Sequence, residues 1–265
     1  MSISRISAAF AKRAANGQSA FIAYMMAGDP DLATSRELLL GLPDAGADIV
    51  ELGMPFSDPV AEGLTIQQAA QRSLLADTKM AGVLSLANDF RKLHPDTPLI
   101  LMGYANPVHH MGWQVFAKAA SKAGVDGMII VDLPPEESEP FAQALTENDI
   151  ALIRLIAPTT VGERLPKVLS GVSGFVYYVS VTGVTGDAVP DAIAVAYAVQ
   201  NIKLHTDLPV AVGFGVRTPQ TAQMIAACAD GVVVGSAIVA AMHNSGVKAA
   251  LKLTAKLAKA VRSKS

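Results

Sequence analysis

The sequence has 265 residues, of which 51% are hydrophobic and 17% charged, and its formal net charge at pH 7 is −2. Disordered proteins combine low hydrophobicity with high charge, so this composition predicts a folded chain. Because 21 basic side chains are balanced by 23 acidic ones, no excess of positive charge is present to attract a nucleic acid. The longest nearly unbroken apolar run, residues 231–242, is too short to cross a membrane.

The chain begins with an amphipathic segment in which Ile3, Ile6 and Phe10 share one helical face. Its first 28 residues carry basic but no acidic side chains, as mitochondrial presequences do. The apolar face leads straight into a strand, which favours a helix that belongs to the fold. The single cysteine, Cys228, has no internal disulfide partner, as is typical of a reducing compartment. We therefore expect a cytoplasmic protein with an extra N-terminal helix.

Eight short apolar runs of strand length follow this segment. Most lack polar alternation, as expected for parallel strands that are buried on both faces. The predicted strands are residues 20–25, 48–52, 98–102, 127–131, 151–156, 175–179, 208–212 and 231–234.

Apolar residues with helical spacing occupy intervals between these strands. Val83, Leu86 and Phe90 form one stripe, Phe141 and Leu145 form a second, and a third extends along the C-terminal segment. Strands that alternate with helices form parallel units with right-handed crossovers. Eight such units predict an α/β fold, a single (β/α)₈ TIM barrel that occupies residues 1–265 as one domain. An open, doubly wound sheet is the alternative.

The interval between the second and third strands is the longest, and it begins with a polar stretch rich in turn residues. Loops that follow the strands form the catalytic face of a barrel. Glu51 stands just before this loop, inside an apolar strand and one residue from its end. Burying an unpaired carboxylate is costly, and the usual response is a raised pKa, which suits proton exchange near pH 7. A structural glutamate held by lysine or backbone donors is the alternative.

Three further carboxylates could supply a second acid–base group on this face. Asp29 lies in the turn after the first strand, and Asp58 and Glu62 lie in the long loop. Each could equally be an ordinary turn residue. His109 and His110 are adjacent and have no cysteine or glutamate at metal-binding spacing, so no metal site is expected.

Loops that contain glycine follow each of the last three predicted strands, at residues 182–187, 212–216 and 234–237. Glycine lets backbone amides approach an anion closely, and the last of these loops is placed to begin a short helix, whose N-terminus favours phosphate. Barrels commonly bind phosphate in the loops after strands seven and eight. A phosphate-bearing substrate is therefore predicted. In the strand before the first of these loops, Tyr177 and Tyr178 point to opposite sides, so one faces the barrel interior.

Seven short blocks along the chain together form a pattern that is specific to one family. They are AGDP at 27–30, ELGMPFSDP at 51–59, YAN at 104–106, DLP at 132–134, GVTG at 183–186, GFG at 213–215 and GS at 235–236. With these blocks the sequence resembles the tryptophan synthase alpha chain from about residue 21 to 239. The resemblance implies a (β/α)₈ lyase that cleaves indole-3-glycerol phosphate into indole and glyceraldehyde 3-phosphate.

The resemblance also implies a partner. Family members form an α₂β₂ tetramer with a tryptophan synthase beta chain, which receives indole through a tunnel and makes L-tryptophan. The pyridoxal phosphate belongs to that beta chain, so no cofactor is expected in this chain. Pro55, Phe56 and Asp58 match the surface that meets the beta chain.

Individual roles in the active site follow from the same resemblance. Glu51 matches the acid–base glutamate that relays protons between indole C3 and the glycerol hydroxyl, and Glu62 matches the carboxylate that steadies the indole N–H. The residues that match the indole pocket or its rim are Tyr104, Tyr177 and Phe214. The residues that match the phosphate cradle are Gly186, Gly215, Gly235 and Ser236. Thr185 lies in the loop that closes over substrate.

The sequence departs from the family pattern near one of these residues. The family has Asp-Gly-Pro where this chain has Glu62, Gly63 and Leu64, and it commonly has threonine where this chain has Met26. The side chain of Glu62 is one methylene longer than that of aspartate. Misplacing a catalytic group by about 1 Å can lower the rate about a hundredfold. Three alternatives therefore stay open: a subunit that mainly activates a beta chain, a free-standing lyase, and another phosphate-binding barrel such as an isomerase.

Overall fold

The computed structural model describes residues 2–180, 191–213 and 215–263. All strand pairs in these ranges are parallel. The strands are β1 (Ala20–Met26), β2 (Ile49–Gly53), β3 (Leu99–Gly103), β4 (Gly127–Ile130), β5 (Ala151–Leu152), β6 (Arg154–Ile156), β7 (Val176–Val179), β8 (Val210–Gly213) and β9 (Gly231–Val234).

Hydrogen bonds join these strands in the order β5-β4-β3-β2-β1-β9-β8-β7-β6. The two ends of this order, β5 and β6, are consecutive in the chain and separated only by Ile153, so the sheet closes into a barrel. The fifth predicted strand is thus split, because its first part pairs with β4 and its second with β7. The predicted (β/α)₈ barrel is confirmed, and the open doubly wound sheet is wrong.

Helices lie between most of the strands, as predicted. They are α1 (Ser2–Ala14), α2 (Leu32–Gly41), α3 (Leu64–Leu75), α4 (Met80–Leu93), α5 (Ala105–Met111), α6 (Trp113–Ala123), α7 (Glu139–Glu147), α8 (Arg164–Leu169), α9 (Ala192–Lys203), α10 (Pro219–Ala226) and α11 (Ser236–Arg262). The backbone of Gly246, at φ 78°, interrupts α11 and leaves a short first segment that begins at Ser236. None of the helices in the described ranges is both long and apolar enough to cross a bilayer.

The core has two layers on either side of the barrel wall, because successive residues of a strand point to opposite faces. The inner layer contains Tyr24, Met102 and Tyr177. The outer layer, which includes Leu52 and Tyr178, packs the strands against the helices. Tyr177 therefore faces the barrel interior and Tyr178 the helices.

Helix α1 closes the N-terminal end of the barrel, which confirms the predicted extra helix. Its Ile6 and Phe10 are buried with the inner layer, and the Phe10 ring centroid lies 5.5 Å from that of Phe175. A Cβ on Gly231 would lie only 3.0 Å from the Phe10 ring, so glycine there makes room for the helix. The opposite end, where the strands finish, is left as the open one.

Three aspartates stand at the N-terminal end of the barrel, each one residue before a strand. Their carboxylates accept backbone N–H groups of the neighbouring strand: Asp48 from Phe21 (2.9 Å), Asp126 from Leu99 (2.7 Å) and Asp230 from Val210 (2.8 Å). They also form ion pairs with basic side chains. Asp48 pairs with Arg13 (2.6 Å) and Arg262 (3.2 Å). Asp126 pairs with Arg5 (2.9 Å) and Arg91 (2.6 Å), and Asp230 pairs with Lys203 (2.6 Å). Because Arg5 and Arg13 belong to α1, two of these sites tie that helix to the barrel.

Candidate active site

Glu51 lies in β2, where the register places it beside Tyr24 of β1. Its neighbours Val50 and Leu52 belong to the outer layer, so the alternation of the strand directs Glu51 into the barrel. Only 1% of the residue is exposed, and neither carboxyl oxygen has a hydrogen-bond partner within the described ranges. Burial, assisted by repulsion from Glu62, raises the pKa of Glu51 from 4.5 to about 8. Among the described residues, no donors hold Glu51 as a structural glutamate would be held.

Glu62 ends the long loop that follows β2 and directs its side chain into the pocket at the open end of the barrel. The backbone is fixed on both sides: Glu62 N donates to Pro59 O (3.0 Å), and Gln67 Nε2 donates to Glu62 O (2.7 Å). The residue is 7% exposed, and burial raises its pKa from 4.5 to about 7. The structure therefore brings together the two carboxyls that the sequence singles out.

Leu64, which stands where the family has proline, has a small effect on the structure. Leu64 is the first residue of α3, and its side chain is 66% exposed. Proline is favoured at this position because the first N–H of a helix has no partner inside the helix. Leucine also begins the helix here, and the Glu62 carboxyl still reaches the pocket.

Two buried tyrosines, Tyr24 and Tyr177, line the pocket with Glu62. A Cβ on Gly53 would overlap the Tyr24 hydroxyl, and a Cβ on Gly213 would overlap that of Tyr177, so each ring lies across a glycine of the next strand. Burial and the nearby carboxyls raise the pKa of both tyrosines well above 10, so both stay neutral. Tyr24 was not predicted as a site residue, because within β1 it looks like one more apolar strand residue.

Tyr104 supports the long loop. Its hydroxyl accepts the N–H of Ala61 at 3.0 Å, and its ring stacks on Phe56 with centroids 5.0 Å apart. These contacts hold the segment next to Glu62. Tyr104 thus lies beside the loop that carries Glu62 and holds it in place.

The remaining carboxylates of this face are either paired with an arginine or exposed to solvent. Asp29 is buried and accepts two hydrogen bonds from Arg72 of α3 (2.7 and 2.8 Å), so it fixes the turn after β1 to that helix. Asp58 is exposed and accepts the Ser57 hydroxyl at 2.5 Å, while Pro55 is partly exposed. Only Glu62 among these three candidates joins Glu51.

The pocket at the open end contains about 540 Å³ of empty space, including its open mouth. Its described lining residues are Tyr24, Glu62, Ile66, Met102, Tyr177, Gly215, Val216, Arg217, Val233, Gly235 and Ser236. The predicted phosphate residues Gly215, Gly235 and Ser236 therefore share one cavity with Glu62. Sequence reasoning missed Arg217, which adjoins a glycine loop but belongs to no recognised motif.

Helix α11 begins at the wall of this pocket. Its N-cap is Gly235, which offers no side-chain cap, and its first turn contains no acidic residue. The N–H groups and the dipole of such a helix start favour an anion. Predicted residues Thr185, Gly186 and Phe214 lie outside the described residues. Within the described ranges, no group of three or more His, Cys, Asp or Glu side chains could hold a metal ion.

Comparisons with known proteins agree on one family. The sequence profile described as "Tryptophan synthase alpha chain" matches residues 10–264. Tryptophan synthase alpha chains of Caulobacter vibrioides and Phenylobacterium zucineum are 55% and 53% identical, over 99% of this chain and 98% and 97% of theirs. A Mycobacterium tuberculosis tryptophan synthase structure has a TM-score of 0.92 at 35% identity, covering 98% of this chain and 99% of that one. The alpha chain from Legionella pneumophila scores 0.89 at 35% identity, covering 97% of each. The chain belongs to the tryptophan synthase alpha chain family.

Proposed function

We propose that Glu51 and Glu62 are the two carboxyls with which this chain performs the reaction of its family. That reaction is the retro-aldol cleavage of indole-3-glycerol phosphate into indole and glyceraldehyde 3-phosphate, and it makes the chain a lyase of tryptophan biosynthesis. The observation that carries the proposal is the Glu51 carboxyl, which is buried, has no hydrogen-bond partner in the described chain and has a pKa raised to about 8.

The two carboxyls are suited to hold one proton between them. Glu62, with a pKa of about 7, ionises first, and repulsion from it helps to keep the proton on Glu51, whose pKa is about 8. Near neutral pH, Glu51 is therefore an acid while Glu62 is increasingly an anion. Cleavage of this substrate requires both forms at once.

In the reaction, protonated Glu51 gives its proton to indole C3, which becomes tetrahedral and leaves positive charge on the ring. The Glu62 carboxylate accepts the indole N–H and stabilises that charge. The Glu51 carboxylate then takes the proton of the glycerol hydroxyl next to the ring. The carbon–oxygen double bond forms, the bond from C3 to the side chain breaks, and its electrons return to the ring. Glu51 ends protonated, so no water or cofactor is consumed.

The rest of the pocket holds the substrate in this proposal. The amides of Gly186, Gly215 and Gly235, with Ser236, bind the phosphate at the start of α11. Tyr177 and Phe214 border the indole, and Tyr104 fixes the loop that carries Glu62. Thr185 belongs to the loop that closes over the substrate, which would exclude water and strengthen the polar contacts.

Assembly is a further part of the proposal. The alpha chain family implies a beta-chain partner, and we propose an α₂β₂ tetramer in which Pro55, Phe56 and Asp58 meet that chain. Support comes from the exposed Asp58 and from Val60, which is 75% exposed in the same loop. The beta chain would hold the pyridoxal phosphate, and the present chain would hold no cofactor. Residues 1–265 would act as one barrel domain in the cytoplasm.

The deciding experiment is indole release from indole-3-glycerol phosphate by the purified chain with and without a beta chain. Glu51→Gln should lower kcat by about 10²- to 10⁴-fold, the usual contribution of a general acid–base group. Glu37→Gln, an exposed change of the same kind on α2, should leave kcat unchanged. Comparing kcat of Glu62→Asp with that of wild type measures how the longer glutamate side chain changes the rate.

Two other results would select an alternative. A wild-type chain that binds and stimulates a beta chain but releases no indole would be an activating subunit. A chain that cleaves the substrate but does not bind a beta chain would be a free-standing lyase.

A further inference from the structure

Arg217 is the one cationic side chain among the described residues that line the pocket. It shares that lining with Gly215, Gly235 and Ser236 and with the carboxyl of Glu62. The charge of this side chain plays no part in the acid–base chemistry assigned to Glu51 and Glu62.

The backbone on either side of Arg217 is held in place. Val216, just before it, is buried at 4% exposure. Thr218, just after it, is the N-cap of α10 and accepts the N–H of Thr221 at 3.2 Å, and Pro219 occupies the first turn of that helix. Arg217 itself is exposed, and its backbone lies at the pocket wall between these two fixed neighbours.

A cationic side chain would balance the negative charges that meet in the pocket when substrate is bound. A phosphate monoester carries nearly two negative charges at pH 7, because its second pKa is about 6. Glu62 is in the same cavity, and it becomes an anion as the pH rises through its pKa of about 7. Backbone amides and a helix start contribute only partial charges, roughly half an elementary charge at a helix terminus.

We propose that the Arg217 guanidinium binds the phosphate group of the substrate and supplies the full positive charge that the glycine loops lack. This inference rests on the proposed function, which places the phosphate at Gly215, Gly235 and Ser236. A guanidinium offers paired N–H donors that match two phosphate oxygens, so arginine suits this role better than lysine. Arg217 thereby selects phosphorylated over unphosphorylated substrates.

The test measures the dissociation constant of D-glycerol 3-phosphate for wild type, Arg217→Gln and Arg217→Lys. We expect about tenfold weaker binding for Arg217→Gln, at the lower end for a charged hydrogen bond because the side chain is exposed. Arg217→Lys should fall between the two. Lys256→Gln, which removes an exposed charge from α11, is the matched control and should bind as wild type does.

Kinetics separate phosphate binding from a general effect on the pocket. With indole-3-glycerol phosphate, Arg217→Gln should raise KM by about the same factor and leave kcat nearly unchanged. With indole-3-glycerol, which lacks the phosphate, the variant and wild type should have equal kcat/KM. Equal losses with both substrates, or no loss with either, would overturn the proposal.

Gly235→Ala distinguishes failure of this inference from failure of the phosphate site itself. An added Cβ at Gly235 would lie 3.0 Å from the Tyr24 ring, so the cradle would have to shift. If Gly235→Ala weakens glycerol 3-phosphate binding and Arg217→Gln does not, the phosphate site stands and Arg217 has no part in it. If neither change weakens binding, the phosphate lies elsewhere.

Discussion

The two ends of the barrel surround a buried carboxyl group differently. At the N-terminal end, Asp126 is fully buried, accepts a backbone N–H and binds two arginines. At the C-terminal end, Glu51 is as deeply buried but has no hydrogen-bond partner in the described chain. The first arrangement fixes a helix to the barrel, and the second leaves a carboxyl whose pKa is raised to about 8. Burial raises the pKa of both carboxyls, but Asp126 has arginine and backbone partners that oppose this rise and Glu51 has none in the described chain.

The largest expected effect is at the stabilised end. Asp126→Ala should lower the free energy of unfolding by about 3–5 kcal/mol, because it leaves the charges of Arg5 and Arg91 without their common partner. Urea denaturation measures the loss. Activity per folded molecule should stay near the wild-type value, since this site is at the far end of the barrel. A loss below 1 kcal/mol would contradict the assigned role.

The opposite effect on stability is expected at the C-terminal end of the barrel. Glu51→Gln removes a group whose pKa is about 8 in the folded chain and 4.5 when the side chain is exposed to water. Because the unfolded chain ionises first, wild type loses stability between these values as the pH rises. At 1.36 kcal/mol per pKa unit, the loss is roughly 3 kcal/mol by pH 7.

Thermal denaturation from pH 4 to pH 8 measures this loss. The melting temperature of Glu51→Gln should rise relative to wild type with increasing pH, and the relative change should be least near pH 4. A difference that does not vary with pH would show that Glu51 is not held protonated in the folded chain.

A smaller effect is expected where the loop meets the barrel rim. Tyr104→Phe removes the hydroxyl that accepts the Ala61 N–H but keeps the ring that stacks on Phe56. We expect a loss of about 1 kcal/mol in the stability of this loop. Hydrogen exchange at the Ala61 amide should become faster, and kcat/KM should fall several-fold because Glu62 is the next residue. Unchanged exchange would mean that the hydrogen bond is not formed in solution.

The smallest expected effect concerns the coupling between the two carboxyls. Glu62→Gln should lower the pKa of Glu51, since repulsion from Glu62 is one cause of its elevation. Burial is the larger cause, so most of the elevation should persist. Carbon-13 NMR of the Glu51 carboxyl follows this pKa directly and needs no activity. A pKa that stays where it is in wild type would show that the two groups are independent.

Much of this arrangement can be predicted from local sequence. The strands are continuous apolar runs, and Glu51 stands out because it interrupts one of them. Other features depend on contacts between distant residues. Arg72 binds Asp29 from 43 positions away, and only the register of β1 against β2 brings Tyr24 beside Glu51.

Two elements differ from the predictions for physical reasons. Helix α3 was not predicted, because its buried face consists mainly of small residues such as Ala69 and Ala70 and shows no strong apolar stripe. The break at Ile153 was not predicted either, because an apolar run does not record where a strand changes its pairing partner.

The pairing of β1 with β9 has a consequence for synthesis of the chain on the ribosome. Strands β1 to β4 are neighbours in the sheet and can pair in the order in which they emerge. The remaining edge of β1 must wait for β9, which follows more than two hundred residues later. The contact between Asp48 and Arg262 forms later still. The nascent chain therefore exposes an unpaired parallel edge, a surface prone to aggregation, until translation of this region is nearly complete.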